Sequence, residues 1–229
     1  MKANLIFLAA MAITVFATGQ NQNVTNNVSV NPEFKSTGTI VQGTTFETIE
    51  DFLVNQVNYP FESIKCAKQG TEVISFTVTP EGEITNFKVI NSICPKVDQE
   101  VIRVLSLTSG KWQSGTVNGV KVPLEKEVSI AFKMRLSNDF KEWAQSCLTK
   151  GINMQIKDNH KKAVRFYNEA LNYMPNDKNI LAARMNCKLE MGDDEGAEQD
   201  QLRLQKLINN ENKTDKYNTE EIALIVAFK

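Results

Sequence analysis

Residues 71–90 read TEVISFTVTPEGEITNFKVI, and this stretch decides the fold. Its first nine residues alternate in polarity and are rich in β-branched side chains, as half-buried strands are. Gly82 lies in the turn that follows, where glycine adopts a left-handed conformation at no steric cost. A second strand runs from Ile84 to Ile90, so the stretch predicts a β-hairpin with Val73 opposite Ile90.

A helix is predicted on each side of this hairpin. The first has apolar residues at helical spacing: Phe46, Ile49, Phe52 and Leu53. It ends before Pro60, because a residue that precedes proline is pushed out of the α region. The second begins at Asp98, whose side chain is suited to capping a helix N-terminus.

The last strand has the clearest alternation in the chain. Its apolar side chains fall on even positions: Val122, Leu124, Val128, Ile130, Phe132, Met134 and Leu136. Polar residues lie mostly between them, which indicates one buried face and one face in water. Residues 46–136 therefore predict an α+β domain, a small antiparallel sheet with helices on one face.

The period of the apolar residues changes to 3.6 from about Asn138, which predicts an all-α second domain over 138–229. Thr219 to Phe228 is expected to cap this domain as a helix, with Glu220 and Glu221 in its first turn. Its unbroken apolar run from Ile222 leaves a strand as the alternative.

The N-terminus has the plan of a signal peptide, over residues 1–19. The apolar run of about 12 residues is shorter than the roughly 20 that a membrane-spanning helix needs. The alternative is an uncleaved anchor. Residues 20–45 are rich in Asn, Gln, Thr and Ser and are predicted to be a flexible polar tether.

Composition argues against nucleic-acid binding and catalysis. The net charge is −1, which gives no strong field toward nucleic acid. His160 is the only histidine, so a Ser-His-Asp or Cys-His arrangement would need another base. Phosphate-binding, dinucleotide-binding and zinc motifs are not found in the sequence. We therefore expect no enzyme, no small-molecule substrate, no cofactor and no metal site.

Residues 46–134 resemble the TonB C-terminal domain family. The matching features, in order, are Tyr59-Pro60, Gly70, the strand from Val73, Gly82, Asp98 to Arg103, Trp112, Asn118-Gly119 and the closing strand to Phe132. The resemblance implies a bacterial envelope protein located in the periplasm. It also implies a partner protein, such as a TonB-dependent outer-membrane receptor, and a role connected with transmembrane transport.

The resemblance also implies a binding mode. In this family the final strand pairs with a short peptide segment of a receptor, which is β-augmentation. The corresponding edge here contains Glu127, Ser129, Ala131, Lys133 and Arg135. The alternative is that charged residues on this strand, among them Lys126, guard the edge against aggregation.

The helical segment, over about 138–209, resembles tetratricopeptide repeats. The residues at the family's positions are Gly151, Ala163, Tyr167, Ala170, Pro175 and Ala197. The resemblance implies paired helices and a second protein-binding surface.

The four cysteines are Cys66, Cys94, Cys147 and Cys187. Cys66 and Cys94 flank the hairpin closely enough to form a disulfide bridge, and two buried thiols are the alternative. A bridge between Cys147 and Cys187 is a weaker prediction, since they fall at different heights on their helices.

Three functions fit these features. The first is an exported interaction module that binds an extended peptide at the last strand, with the helices as a second surface. The second is an anchored energy transducer for outer-membrane transport. The third is a helical scaffold in which the α+β domain is a spacer.

Overall fold

The computed structural model describes residues 29–35, 40–41, 44–46, 48–58, 69–134, 139–212 and 219–222. The predicted signal peptide lies outside these residues, as do Cys66 and Arg135.

The α+β part begins with four two-residue strands: β1 (Ser29–Val30), β2 (Glu33–Phe34), β3 (Ile40–Val41) and β4 (Thr44–Thr45). The next elements are α1 (Ile49–Gln56), β5 (Gly70–Val78), β6 (Ile84–Asn91) and α2 (Pro95–Ser106). It closes with β7 (Trp112–Gln113), β8 (Thr116–Val117), β9 (Val120–Lys121) and β10 (Leu124–Phe132).

The helical part follows at once. Its elements are α3 (Phe140–Gln155), α4 (His160–Tyr173), α5 (Lys178–Glu190) and α6 (Asp194–Asn212). A further strand, β11 (Thr219–Ile222), comes after the helices. The predicted fold class, an α+β domain followed by a helical array, is confirmed.

The main sheet has the strand order β11-β10-β5-β6. β5 pairs antiparallel with β10 from Gly70 opposite Phe132 to Val78 opposite Leu124. β6 pairs with the other edge of β5, and β11 pairs parallel with β10. β5 is therefore a central strand, which needs its side chains covered on both faces.

The hairpin forms as predicted, but its register differs. Val73 lies opposite Asn91 and not Ile90, because the pairing of β5 with β6 shifts at two places. Asn86, in β6, has a φ of 54°, a left-handed conformation that accompanies such irregularities.

One face of the sheet carries the main apolar core. Ile74, Phe76 and Val78 of β5 meet the valines and leucines of α2 and the aromatic side chains around α1. Trp112 is completely buried among them, with its ring 5.3 Å from that of Phe76 between centroids. Its indole N–H donates to Thr108 Oγ1 at 2.9 Å, so this large side chain has no unsatisfied donor.

The predicted helix starts are partly wrong. The N-cap of α2 is Cys94, four residues before the predicted cap Asp98, and Pro95 lies in the first turn, where proline needs no N–H. Asp98 lies inside the first turn and accepts a hydrogen bond from Ser92 Oγ at 2.8 Å. α1 is capped by Thr48, whose hydroxyl accepts from the backbone N–H of Asp51 at 3.0 Å.

The second face of the sheet is also covered, which corrects the prediction that this face lies in water. Val73 and Ser75 point away from the main core and are buried nonetheless. α4 packs against β5 on this side, and the hydroxyl of Thr71 donates to the carbonyl of Tyr173 at 2.7 Å. The side chains at odd positions of the sheet, which the alternation predicted to face water, are therefore buried by the helical array.

Residues 29–35 are ordered, which corrects the prediction of a tether for this stretch. β1 pairs with β8, and β2 pairs with β7. Phe34 packs its ring against Trp112 and Phe52, at centroid distances of 5.6 Å and 6.2 Å. One aromatic side chain thus anchors a segment whose composition is otherwise polar.

The helical array has a separate apolar core, built around Tyr167. The six residues singled out from the repeat resemblance are all buried: Gly151, Ala163, Tyr167, Ala170, Pro175 and Ala197. Gly151 leaves room for the Tyr167 ring, whose hydroxyl donates to Gln155 Oε1 at 2.7 Å. The tetratricopeptide resemblance itself stays a prediction.

In the part of the chain that is described, no helix has the length and apolar character to cross a membrane.

Two glycines with nearly the same backbone provide a test of the hairpin turn. Gly82 has a φ of +85° and Gly119 a φ of +79°, so alanine is strained at both. A Cβ at Gly82 would in addition collide with the carbonyl of Trp112, whereas a Cβ at Gly119 meets open space. We expect Gly119→Ala to lower the free energy of unfolding by about 1 kcal/mol and Gly82→Ala by clearly more. Urea unfolding of both variants measures this, and equal losses would contradict the described turn.

Candidate functional site at the β10 edge

The edge of β10 was predicted to be exposed, and in the structure it is occupied. β11 runs along it in parallel, with Thr219 opposite Glu127 and Ile222 opposite Ile130. The predicted helix start at Thr219 is therefore wrong, because Thr219–Ile222 is a strand. The strand alternative, which ran from Ile222 to Phe228, stays a prediction, since residues 223–228 lie outside the described part.

The side chains predicted to line this edge face the helical array. Glu127 and Ser129 lie opposite Ser75 and Val73 and share their buried face. Ala131 is half-buried on the same face. Glu127, Ser129 and Ala131 therefore share one face, and that face is the interface with the helices.

Glu127 is held by a buried ion pair. Arg203, on α6, donates from both terminal nitrogens to its two carboxylate oxygens, at 2.8 Å and 2.6 Å. The Arg203 side chain is only 13% exposed and that of Glu127 only 5%. Asn176, in the loop before α5, accepts a further hydrogen bond from the same guanidinium. This planar, two-pronged contact fixes both the position and the rotation of α6 on the sheet.

A second, more exposed contact lies beside the first. Lys206 Nζ is 2.8 Å from Glu125 Oε1 and 3.4 Å from Glu127 Oε2. The hydroxyl of Ser75 also donates to Glu125. Burial raises the pKa of Glu125, but the hydrogen bonds from Lys206 and Ser75 outweigh it, so that the pKa is lowered overall. This carboxylate is ionised at neutral pH and pairs with the helical array.

The opposite end of the β5–β10 ladder is tied to the helices by further polar contacts. Asn172, near the end of α4, donates to the carbonyl of Gln69 at 2.8 Å. Lys133 places its ammonium 4.9 Å from the centre of the Phe140 ring, at the start of α3. A positive charge over an aromatic face is attractive, and more so where water is partly excluded.

The charged residues proposed as guards of the edge do not act as one group. Lys126 is buried, at 2% exposure, and Lys133 is occupied with Phe140. Arg135 lies outside the described residues. The hydroxyl of Ser129 is buried with no hydrogen-bond partner among the described residues, at the middle of the strand pair.

β5 contains a buried carboxyl group of a different kind. Glu72 is completely buried opposite Ile130, and its Oε2 accepts the backbone N–H of Ile93 at 3.0 Å. Its Oε1 has no partner among the described groups. Burial raises the pKa of Glu72 to about 9, and the nearby charge of Asp98 acts in the same direction. Glu72 is therefore protonated at neutral pH.

The thiols of the helical array are reduced and buried. Cys147 and Cys187 form no bridge, which settles that weaker prediction, and Cys187 lies 3.6 Å from the carbonyl of His160. Burial raises the pKa of both thiols, so neither is a nucleophile at neutral pH. The Cys66–Cys94 bridge stays a prediction, because Cys66 lies outside the described residues.

The single histidine of the chain lies at the surface of the helical array. His160 Nε2 is 3.0 Å from Glu190 Oε2 at the surface, where Gln155 also donates to Glu190. Within the described ranges, no group of three or more His, Cys, Asp or Glu side chains is arranged to hold a metal ion.

Sequence reasoning missed three structural features of this edge: Arg203, Lys206 and the strand Thr219–Ile222. Arg203 and Lys206 lie in a polar helix with the composition of a solvated surface. Arg203 is important because it pairs with the buried carboxylate of Glu127. The sequence pattern had predicted that Glu127 is exposed, so it gave no reason to expect this pair.

Comparison with known proteins bears on the α+β part. Residues 55–134 match the family model of the Gram-negative bacterial TonB protein C-terminal. The match starts in α1 and ends just after β10, so it contains the candidate edge and leaves out the helical array and β11. The resemblance predicted from the sequence is confirmed over these residues. Searches of curated proteins and of solved structures found no match.

The ion pair between Arg203 and Glu127 predicts a large, specific coupling. We expect Arg203→Met to lower the free energy of unfolding by about 3 kcal/mol, because it leaves a buried carboxylate without its main partner. The double variant Arg203→Met/Glu127→Gln should lose less than the sum of the single variants, by about 1–3 kcal/mol. Arg103→Met is the control, since Arg103 is 52% exposed in its pair with Glu100 and should matter by less than about 1 kcal/mol. Additive losses at 203 and 127 would contradict the pairing.

Glu72 predicts a pH dependence of stability. The folded chain keeps the Glu72 proton up to a pKa of about 9, whereas the unfolded chain releases it near the ordinary value of 4.5. Its contribution to stability is thus complete below the unfolded pKa and is lost as the pH rises toward 9. The glutamine of the Glu72→Gln variant is neutral at every pH. The free energy of unfolding of this variant, relative to wild type, should therefore increase with pH, by at most roughly 1.4 kcal/mol per pH unit.

The matched control for this effect is Glu100→Gln. The pKa of Glu100 is lowered because hydrogen bonds from Arg103 and Asn58 outweigh burial, which raises it. Its stabilising contribution should be lost as the pH falls, the opposite sign to Glu72. Urea unfolding between pH 3 and pH 9 measures both, since the Glu100 effect falls below its ordinary pKa of 4.5 and the Glu72 effect above 4.5. A pH-independent difference between wild type and Glu72→Gln would refute the protonated carboxyl.

Proposed function

We propose that this chain is an exported interaction module of the bacterial envelope, which binds an extended segment of a partner protein as an added strand on β10. The observation that carries the proposal is the pairing of β10 with β11. A strand from far along the chain adds in parallel to this edge, so the edge accepts an extended segment. The match of residues 55–134 supplies the class of protein.

β-Augmentation suits the chemistry of this edge. Backbone N–H and C=O groups supply affinity, and neighbouring side chains supply selectivity. β10 is held rigid by its nine-residue ladder to β5 and by the core beneath Val128 and Ile130. A rigid edge loses little entropy when a strand is added. We assign it no catalytic role, no cofactor and no small-molecule substrate.

The proposed location rests on the signal-peptide pattern and on the family match. The signal-peptide pattern of residues 1–19 directs the chain out of the cytoplasm, and the matched family is Gram-negative. The periplasm is where such a module meets the segments of outer-membrane receptors that face inward. An uncleaved anchor would instead make the chain an energy transducer, and the intact mass of the exported protein separates the two.

The helical array offers a second candidate surface. Ile156 is 75% exposed at the turn between α3 and α4, and Ile152, Leu189 and Met191 are exposed near it. An exposed apolar group of this kind marks contact surfaces in other proteins. This surface favours the scaffold hypothesis, in which the α+β domain is a spacer.

Peptide binding tests the proposed function. Labelled peptides from the inward-facing N-terminal segments of the source bacterium's outer-membrane receptors are titrated into the mature chain and into a chain that lacks residues 219–229. At least one peptide should bind, with a dissociation constant in the micromolar range. Two versions of the peptide are compared, one N-methylated at its odd residues and one at its even residues. One version should bind at least tenfold more weakly and the other as well as the unmodified peptide, because only alternate N–H groups face the edge. The substitution Ile130→Pro is a less suitable test of strand pairing. The Ile130 side chain is completely buried, so its loss would also disturb the core.

Ile156→Ser is the control for the alternative surface. It leaves peptide affinity unchanged if β10 is the site and weakens it if the helical array is. Binding to neither form of the chain, or equal effects of both N-methylation parities, would refute the proposed function.

A further inference from the structure

We infer that Thr219–Ile222 is a built-in competitor for the binding edge, which an incoming partner segment must displace. This inference rests on the proposed function, because it concerns the same edge. Its basis is that β11 occupies the backbone of β10 over Glu127–Ile130, where a partner strand would pair.

The geometry of β11 makes it replaceable. β11 has four residues, whereas β10 has nine. Its pairing is parallel, which is slightly less stable per residue than the antiparallel pairing of β5 with β10. A partner segment of six or more residues could pair along more of β10 than β11 does and so displace it.

The sequence of β11 is also that of a weak strand. It reads Thr-Glu-Glu-Ile, and glutamate has a low preference for strands. Only its two end residues, Thr219 and Ile222, are β-branched, whereas the middle of β5 contains Val73, Ile74 and Phe76. β11 therefore covers the edge without holding it tightly.

Covering the edge solves a problem that the fold creates. A rigid edge strand with unpaired backbone groups is a template for aggregation. Over Lys126 and Glu127 this strand has no solvent-facing charge of the usual guarding kind, because Lys126 is buried and Glu127 is paired with Arg203. β11 takes over this protection while the edge stays usable for a partner.

The occupant also indicates the kind of partner. β11 runs parallel to β10 and contains two adjacent carboxylates, so the segment that replaces it has the same direction and tolerates or carries acidic residues. The partner is thus an extended peptide segment that enters in parallel and in which acidic residues are tolerated.

Weakening β11 in the full-length mature chain tests the inference. In the variant Glu220→Pro/Glu221→Pro, at least one N–H that donates to β10 is lost, because adjacent strand residues face opposite sides of the ladder. The probe is a fluorescent peptide with the chain's own residues 217–224, YNTEEIAL. We expect it to bind the variant at least tenfold more tightly than the intact chain, as it would if the edge were free less than a tenth of the time.

The control is Glu220→Ala/Glu221→Ala, which removes the same charges but keeps both N–H donors. It should raise probe affinity much less than the proline variant. Hydrogen exchange of β5 and α2, unchanged from wild type, confirms that the proline variant is folded. Equal probe affinity for the intact chain and the proline variant, or no binding to either, would overturn the inference.

The two proposals fail in different ways. Receptor peptides that bind the intact chain and the proline variant equally well would overturn the competitor and leave the proposed function standing. Receptor peptides that bind neither, while YNTEEIAL binds the variant, would overturn the proposed function and leave β11 as the occupant of its own edge.

Discussion

The antiparallel ladder between β5 and β10 supports both parts of the protein. One face of these two strands completes the core beneath α1 and α2, and the other receives α4 and α6. Because strand side chains alternate between faces, a one-residue slip would exchange the two sets. It would bring Glu127 into the apolar core and turn Val128 toward Arg203. The register of this ladder therefore determines where the helices can dock.

The two faces are stabilised by different chemistry. The α1–α2 face is apolar and aromatic, and it gains its free energy from area removed from water. On the helical side the apolar core of the array stays separate, and the contact runs through Arg203, Lys206, Asn172 and Tyr173. Polar contacts of this kind require defined geometry. They orient the array on the sheet more than they add to its stability.

Local pattern predicted the elements well and their partners poorly. The alternation in Thr71–Thr79 and Leu124–Phe132, and the glycine turn between β5 and β6, were enough to place the hairpin and the last strand. Nothing near Glu127 indicates burial, because its partner Arg203 lies 76 residues away in a polar helix. The order of residues 29–35 depends on Phe34 reaching Trp112, again a distant contact. The candidate edge was found from its resemblance, but its occupant, Thr219–Ile222, read as a helix start because two glutamates suit a first turn.

The short strands at the N-terminal side have a mechanical consequence. In the described residues, tension applied to the chain at Ser29 first loads the two-residue pairings of β1 and β2, the hydrogen bond from Lys35 N–H to the Lys111 carbonyl and the ring of Phe34. These contacts are few and would part well before the nine-residue ladder of β5 and β10 bears load. The segment can therefore lengthen under a pull as a small extensible joint, while the strand-binding edge keeps its shape.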